Sequence, residues 1–358
     1  MRILSAMSGG VDSAVATSRL VKAGHEVTGV HLTLHHAKPT QSTLGAGCGS
    51  ASDLDDAKHV ADQLGIPFLT WDFSDLFASR VVDYFLDEYA SGRTPNPCLR
   101  CNERIKFQEL INCGLAAGFD AVATGHYARV VEEDGYFQLY RAKDQAKDQS
   151  YVLGVLTQDQ LAHAIFPLGQ SLKSQIRAEA QSLGFEIANK PESMDICFIP
   201  DGDTAGFLSS HLGSRPGQIV DVCGKVLGNH DGTYRFTVGQ RKGLNLGVPA
   251  VDGKPRYVAA VEPDQNRVVV GGAEDLYVSG FSGVHLKWTV SQSAPWHGLI
   301  QYRAHGKPVP GLIAASKGGL EVTFETPVRS LAPGQYAVFY DDQRVVGSAI
   351  IAKTRRTS

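Results

Sequence analysis

Apolar positions in the first two hundred residues switch between two periods. Arg2 to Met7 is a short apolar run, the pattern of a buried strand, and it gives way to glycines at Gly9 and Gly10. Helical spacing follows from about Asp12 to Lys22, then a strand run rich in Val and Thr from His25 to Leu34. After a polar Gly/Ser-rich loop, helical spacing returns over Asp53 to Leu64, with a third strand run over Pro67 to Trp71. A helix is expected from about Asp75 to Tyr89 and another from about Ile105 onward. Ala121 to Thr124 reads as a short fourth strand ending at Gly125. Strands alternating with helices in this way predict a parallel sheet covered by helices on both faces.

Val130 to Tyr140 breaks that order. Asp134-Gly135 between two strand-like runs is a hairpin signal. Helical patterns resume over Gln158 to Ile165 and Ser174 to Leu183. From about Gly213 the chain changes character: short alternating runs such as Arg267 to Val270, Glu321 to Phe324 and Tyr336 to Tyr340 are separated by Gly, Pro and Asp turns. Those runs predict a small β-rich domain followed by a terminal barrel or sandwich. The expected organisation is an α/β domain over 1–205, a β-rich central domain over 206–278 and a C-terminal β domain over 279–358.

Composition changes this picture little. With 358 residues, two or three domains are expected, and 43% hydrophobic with 20% charged residues is ordinary for a globular protein. No stretch approaches the roughly 18 apolar residues of a membrane span, and the start has no apolar signal region. A cytoplasmic protein is therefore expected. A net charge of −3 means that a nucleic-acid partner would have to be held by local basic patches. Such residues gather as Arg100, Arg104 and Lys106, then Arg129, Arg141, Lys143 and Lys147, then Arg235, Arg241 and Lys242, and finally Lys353, Arg355 and Arg356. Taken singly, each reads as ordinary solvated surface.

The first chemistry lies in Ser8-Gly9-Gly10-Val11-Asp12-Ser13, directly between the first strand and the first helix. Glycines there let backbone approach phosphate, and a helix N-terminus offers N–H groups and a positive dipole end. The loop lacks both the Gly-Lys-Ser/Thr of a Walker loop and the G-x-G-x-x-G dinucleotide spacing. Asp12 is the odd element, since a carboxylate beside phosphate is repulsive unless a cation bridges them, and it predicts Mg²⁺. A bare Ser-Gly-Gly could be a simple turn; the whole hexapeptide at this place resembles the PP-loop of ATP pyrophosphatases. That resemblance implies that Ala6, Met7, Ser8, Gly9, Gly10, Val11, Asp12 and Ser13 bind ATP, together with Leu32 and Gly125. The last two lie at carboxyl ends of predicted parallel strands, where open α/β sheets place ligands.

The six cysteines are Cys48, Cys98, Cys101, Cys113, Cys197 and Cys223. A thiol near a helix start beside Arg100, Arg104 and Lys106 is in the setting where cysteine becomes a nucleophile. Cys197, in Asp195-Ile196-Cys197-Phe198-Ile199, follows the last αβ element. Cys113 and Cys223 read as structural. His35-His36 and Cys48 lack paired spacing and read as part of a loop over the nucleotide, while His59 and His126 read as structural.

Several segments together resemble the bacterial tRNA-specific 2-thiouridylase family within the PP-loop superfamily. They are Ser8 to Ser13, Thr94-Pro95-Asn96-Pro97, Cys101-Asn102 with Ile105-Lys106-Phe107, and Gly125-His126-Tyr127. Further along come Lys147-Asp148-Gln149-Ser150-Tyr151, Ile196 to Ile199 and Gly239 to Leu244. The resemblance spans nearly the whole chain and implies a C-terminal barrel that contacts tRNA. It also implies adenylation of the C2 carbonyl oxygen of the wobble uridine, with Cys197 as persulfide carrier and Cys101 as nucleophile or disulfide partner. Asn96, Pro97 and Cys98 would touch the target base, and Lys147, Asp148, Gln149, Tyr302 and Arg303 would contact tRNA. The sulfur would come from a cysteine desulfurase or relay protein, and the enzyme would act as a monomer.

One position departs from the family pattern, which has Asp where this chain has Cys98. Cys98 and Cys101 form C-x-x-C, and with Cys197 they could carry a 4Fe–4S cluster on three ligands or form a redox pair. The persulfide route is the default and the cluster the alternative. A PP-loop synthetase acting on a small molecule would leave Cys101 and Cys197 unexplained, and a non-catalytic RNA-binding factor would not need them.

Overall fold

The computed structural model describes residues 1–35, 51–191, 196–246, 253–290 and 292–357. Its first sheet holds β1 (Arg2–Ala6), β2 (Glu26–Thr33), β3 (Phe68–Asp72), β4 (Ala121–Ala123) and a short strand at Ala164–Ile165. Their order is β3-β2-β1-β4 with Ala164–Ile165 outermost, and every pairing is parallel. Ile3 and Leu4, adjacent on β1 and therefore on opposite faces, are both fully buried. One face carries α1 (Val11–Lys22), α2 (Ala51–Leu64) and a later helix over Lys173–Ser182, packed through Val11, Val15, Val60, Ala61, Ile176 and Ala180. The other carries α3 (74–90) and α4 (97–116), packed through Phe77, Val81, Leu99, Ile105 and Leu110. This is the predicted α/β architecture.

Two local expectations need correction. Ala164 and Ile165 form a strand beside Val122 and Ala123 rather than the end of a helix. The helix expected from Ile105 begins at Pro97. The Asn96 side chain accepts from the N–H groups of Cys98 at 3.0 Å and Leu99 at 3.3 Å, and Pro97 takes the first helical position. Past Cys101 the helix widens into π-helical turns over Asn102–Glu109. Such turns shift the apolar face out of the 3.6-residue period, and the buried polar residues Asn102 and Glu103 hide it further.

The hairpin signal is borne out: β5 (Ala128–Glu133) and β6 (Tyr136–Arg141) turn through Asp134 and Gly135, with φ of 53° and 76°. The strand at Ala164–Ile165 follows as β7, and the Lys173–Ser182 helix is α5. After α6 (Thr204–Leu212), a four-stranded sheet forms from β8 (Gly217–Asp221), β9 (Val226–His230), β10 (Tyr257–Glu262) and β11 (Arg267–Gly271). The last six strands are β12 (Tyr277–Trp288), β13 (Trp296–Gln301), β14 (Val309–Ser316), β15 (Gly319–Arg329), β16 (Tyr336–Asp341) and β17 (Arg344–Arg356). Their order β12-β15-β14-β13-β16-β17 is closed by pairing of β12 with β17, which makes a six-stranded antiparallel barrel. Closure satisfies edges that an open sandwich would expose.

The hairpin also pairs with the barrel. Leu139 and Tyr140 on β6 lie opposite Val345 and Arg344 on β17. Tyr336, Val338, Tyr340 and Val345 of the barrel belong to the same apolar cluster as Leu99, Ile105 and Leu139. Buried Tyr151 donates to the carbonyl of Tyr336 at 2.9 Å. Glu103 on α4 adds an ionic clamp: it receives Lys287 from β12 and, at 3.1 Å, Arg100 from its own helix. Burial alone would raise the Glu103 carboxyl. The Lys287 hydrogen bond and the Lys287, Arg104 and Arg100 charges outweigh it and hold the group below the usual carboxylate range.

A depressed folded-state pKa gives stability that is fully present above the ordinary glutamate value and lost as pH falls through the folded value. Glu103→Ala is therefore expected to lower unfolding free energy at neutral pH by on the order of 3 kcal/mol, the low end for a broken buried pair. Urea titrations of variant and parent should converge as pH drops below about 4.5, the reference value for glutamate. A difference that stays constant down to acid pH would show that Glu103 contributes by packing alone.

Candidate active site

β1 ends at Ala6, and the chain turns through Gly9, at φ 72°, into α1. A Cβ on Gly9 would lie 2.3 Å from the Asp53 carbonyl oxygen, so glycine is what lets the loop pass beneath α2. No side chain caps the first turn of α1 among the described residues. Its N–H groups are the kind of donors that anions take. The loop is braced from within: Ser13 Oγ accepts from the Ser8 N–H at 3.1 Å and donates to the Gly10 carbonyl at 2.9 Å. Met7 N–H bonds to the Val30 carbonyl at 2.8 Å, and buried His31 takes the Met7 carbonyl through Nδ1 at 2.9 Å. Burial keeps His31 below its ordinary range.

Leu32 and Gly125 are placed as expected, at the carboxyl ends of β2 and just past β4. A Cβ on Gly125 would lie 2.8 Å from the Ser13 nitrogen and 2.9 Å from the Asp12 carbonyl carbon. The loop after β4 therefore touches the start of α1 backbone to backbone. His126, next in sequence, bonds Thr124 Oγ1 at 2.8 Å and sits beside the rings of Phe107 and Phe166. Burial, with the Lys106 charge added, pushes it down to about 3, so it is neutral near pH 7.

Sequence reasoning missed two lysines here. Lys173, at the start of α5 and buried, reaches both carboxylate oxygens of Asp12 at 2.7 Å. Tyr127 donates its hydroxyl to the same carboxylate at 2.7 Å. Lys190 bonds the Gly9 carbonyl at 3.1 Å, Asp53 at 2.7 Å and Asp56 at 2.5 Å. Both lysines come from more than 150 residues downstream, at places where local spacing says nothing of a phosphate loop.

The thiols divide by exposure. Cys98, second in α4, is exposed, whereas Cys101 one turn later is buried. Cys197 is half-buried and packs against the same apolar cluster as Cys101, Ala6 and Leu32. Among the described residues no group of three His, Cys, Asp or Glu side chains is placed to hold a metal ion. The three-cysteine cluster site is thus not assembled here: its first thiol faces solvent while its second is in the core. His36 and Cys48 lie outside the described residues. His35 stacks edge-on against Phe77 at 4.9 Å.

The residues expected at tRNA occupy two regions. Asn96, Pro97 and Cys98 form the start of α4, with Asn96 as its cap. Asp148 is bound inward: it takes Arg141 at 2.7 Å, the Ala142 N–H and both donors of Ser150. Gln149 exchanges two hydrogen bonds with the Tyr127 backbone, while Lys147 is half-exposed. Tyr302 lies against Phe324, and the Arg303 guanidinium lies 5.6 Å from the centre of its ring. Of the basic residues, Arg100 and Arg104 face Glu103, and Arg141 is interior rather than solvated surface.

Three family models match in succession. They are the tRNA methyl transferase HUP domain over 1–201, the tRNA methyl transferase PRC-barrel domain over 205–272 and the aminomethyltransferase beta-barrel domain over 278–351. The tRNA-specific 2-thiouridylase MnmA of Cutibacterium acnes is 58% identical over 357 residues, covering 99% of this chain and 98% of that one. The protein of the same name from Acidothermus cellulolyticus is 57% identical over 359 residues, covering 100% and 99%. Among solved structures, a 4-thiouridine synthetase–RNA complex with bound ATP aligns at 19% identity and a TM-score of 0.36, over 56% of this chain and 45% of that one. With full-length identity at this level and the PP-loop, the thiols and the barrel all in place, the chain belongs to the tRNA-specific 2-thiouridylase family.

Proposed function

We propose that this chain is a tRNA-uridine 2-sulfurtransferase that thiolates the wobble uridine of tRNA anticodons at the expense of ATP. The observation that supports the reading is that Cys101 lies in the apolar cluster on which Cys197, Ala6 and Leu32 also pack. The matching family models are described by methyl transfer, whereas the full-length relatives are 2-thiouridylases. Two thiols around one nucleotide site favour sulfur.

ATP is held by residues 6–13 with Leu32 and Gly125. The uridine C2 carbonyl oxygen attacks the α-phosphate, pyrophosphate leaves, and C2 becomes bonded to a good leaving group. Asp12 would hold the Mg²⁺ that accompanies ATP and offsets phosphate charge. Lys173 supplies the local cation that the loop itself lacks. The terminal sulfur of a Cys197 persulfide, loaded by a cysteine desulfurase or relay protein, attacks C2. Cys101 then attacks the inner sulfur of Cys197, so the S–S bond of the persulfide breaks as a Cys101–Cys197 disulfide forms. AMP departs with the original oxygen, the nucleoside keeps the sulfur, and a thiol reductant restores the two cysteines. Asn96, Pro97 and Cys98 contact the target base, and Lys147 to Gln149 with Tyr302 and Arg303 contact tRNA. Residues 1–205 form the catalytic domain, 206–278 the central domain and 279–358 the tRNA-contacting barrel of a cytoplasmic monomer. No helix among the described residues is long and apolar enough to cross a membrane.

Mass spectrometry of tRNA nucleosides from a deletion strain tests the activity. We expect 2-thiouridine at the wobble position to be absent, restored by the wild-type chain and not by Cys101→Ser or Cys197→Ser. Normal levels in the deletion, or restoration by both cysteine variants, would overturn the reading.

The nucleotide assignment is tested by Lys173→Met and Gly125→Ala. The first removes a positioned cation and is expected to slow tRNA-dependent pyrophosphate release by on the order of 10²-fold. The second pushes the loop after β4 against α1 and is expected to raise the KM for ATP. In both, tRNA affinity by filter binding should match the parent. Unchanged pyrophosphate release in Lys173→Met would remove Lys173 from the phosphate site.

A further inference from the structure

Arg141 closes β6, a strand that belongs to the N-terminal half by sequence and to the barrel sheet by hydrogen bonding. Its side chain is only 12% exposed, and its guanidinium lies 3.7 Å from the centre of the Tyr340 ring. The two ends of the fork go opposite ways. Nη1 donates to Asp148 at 2.7 Å, and Nη2 donates to the buried Gln301 Oε1 at 2.8 Å. Gln301 ends β13, and its Nε2 donates to the carbonyls of Arg303 and Ala304, both at 3.0 Å. On the other side, Asp148 is followed by Gln149, which is locked to Tyr127 by two hydrogen bonds of 2.8 and 2.9 Å. Tyr127 in turn donates to Asp12 in the nucleotide loop at 2.7 Å.

Hydrogen bonds therefore run from Asp12 to Tyr127 and Gln149, and from Asp148 through Arg141 and Gln301 to the backbone of Arg303, the two stretches being joined by the Asp148–Gln149 peptide bond. The central members are buried, where water does not compete and a lost partner is costly. The Arg141 fork is planar and holds both acceptors at once, so neither can slide without breaking a charge-assisted bond. We propose that Arg141 is a positioning residue through which tRNA held at the Tyr302–Arg303 corner and ATP held at the nucleotide loop favour each other's binding. The inference rests on the assignment of that corner to tRNA and of the loop to ATP.

Coupling of this kind is reciprocal, and typical values lie between about 5-fold and 150-fold. The test measures affinity for the α,β-methylene analogue of ATP, which cannot be cleaved at the reacting bond, with and without saturating tRNA. In the wild-type chain tRNA is expected to tighten the analogue by about tenfold. Arg141→Lys keeps a charge for Asp148 but lacks the second arm for Gln301. Gln301→Met fills the same buried space without a polar end. Each is expected to bring the tRNA effect close to unity while leaving analogue affinity without tRNA as in the parent. The double variant should lose no more than either single, because both cut one link.

Wild-type chain without any tRNA effect, or an effect that survives in both variants, overturns the proposal. So does a fall in analogue affinity without tRNA, which is what a merely structural role would give. Should Gln301→Met not fold, Arg141→Lys alone decides. Arg303→Ala is the control: tRNA affinity equal to the parent would show that the assignment of the corner, rather than the relay, has failed.

Discussion

A carboxylate at the mouth of a phosphate loop is a charge of the wrong sign, and the site depends on how that charge is met. In this chain Asp12 is met twice, by the Lys173 ammonium on both oxygens and by the Tyr127 hydroxyl. Both contacts are short, and Lys173 is buried, so the pair is screened little by solvent. The consequence is an α1 N-terminus whose first-turn acid already carries a local counter-charge. Lys173 comes with α5, and α5 is in place because it packs on α1 through the cluster that holds Ile176 and Ala180. The electrostatics of the loop are therefore a product of helix packing on the far side of the sequence.

The second constraint is that the barrel cannot be separated from the catalytic half without breaking a core. Tyr336, Val338, Tyr340 and Val345 pack into the cluster that also holds Leu99, Cys101 and Ile105. Glu103 and Lys287 add an ion pair at the same junction, two residues from Cys101. An interface of this kind is rigid where most interdomain contacts slide. It fixes the barrel relative to α4 and its thiols.

Much of the fold was legible because local chemistry and tertiary packing agree. The strand–helix alternation, the glycine loop and the Asp134-Gly135 turn all follow from residues near one another in sequence. What was hidden depends on distance. The hairpin's partner is β17, some two hundred residues away, and no pattern in Leu139-Tyr140 points to it. The start of α4 was carried by Asn96-Pro97, a cap followed by a first-turn proline. It was masked because the segment after it is polar on paper: Asn102 and Glu103 are buried by virtue of Val152 and Lys287. Lys173 and Lys190 were invisible for the same reason, since a lysine declares its role only through the acid it reaches.

The C-x-x-C spacing shows the same limit from the opposite direction. Two cysteines three apart on a helix are neighbours across one turn, which is why the spacing suggests a metal ligand pair or a redox couple. Exposure separates them here. Asn96 caps the first turn, Cys98 follows it on the open side, and Leu99 and Cys101 enter the core. Cys101 lies in the apolar cluster on which Cys197, Ala6 and Leu32 also pack. Cys98, by contrast, stands at the solvent face. The division between one inner and one outer thiol follows from where the helix starts, and the helix starts where Asn96 and Pro97 put it.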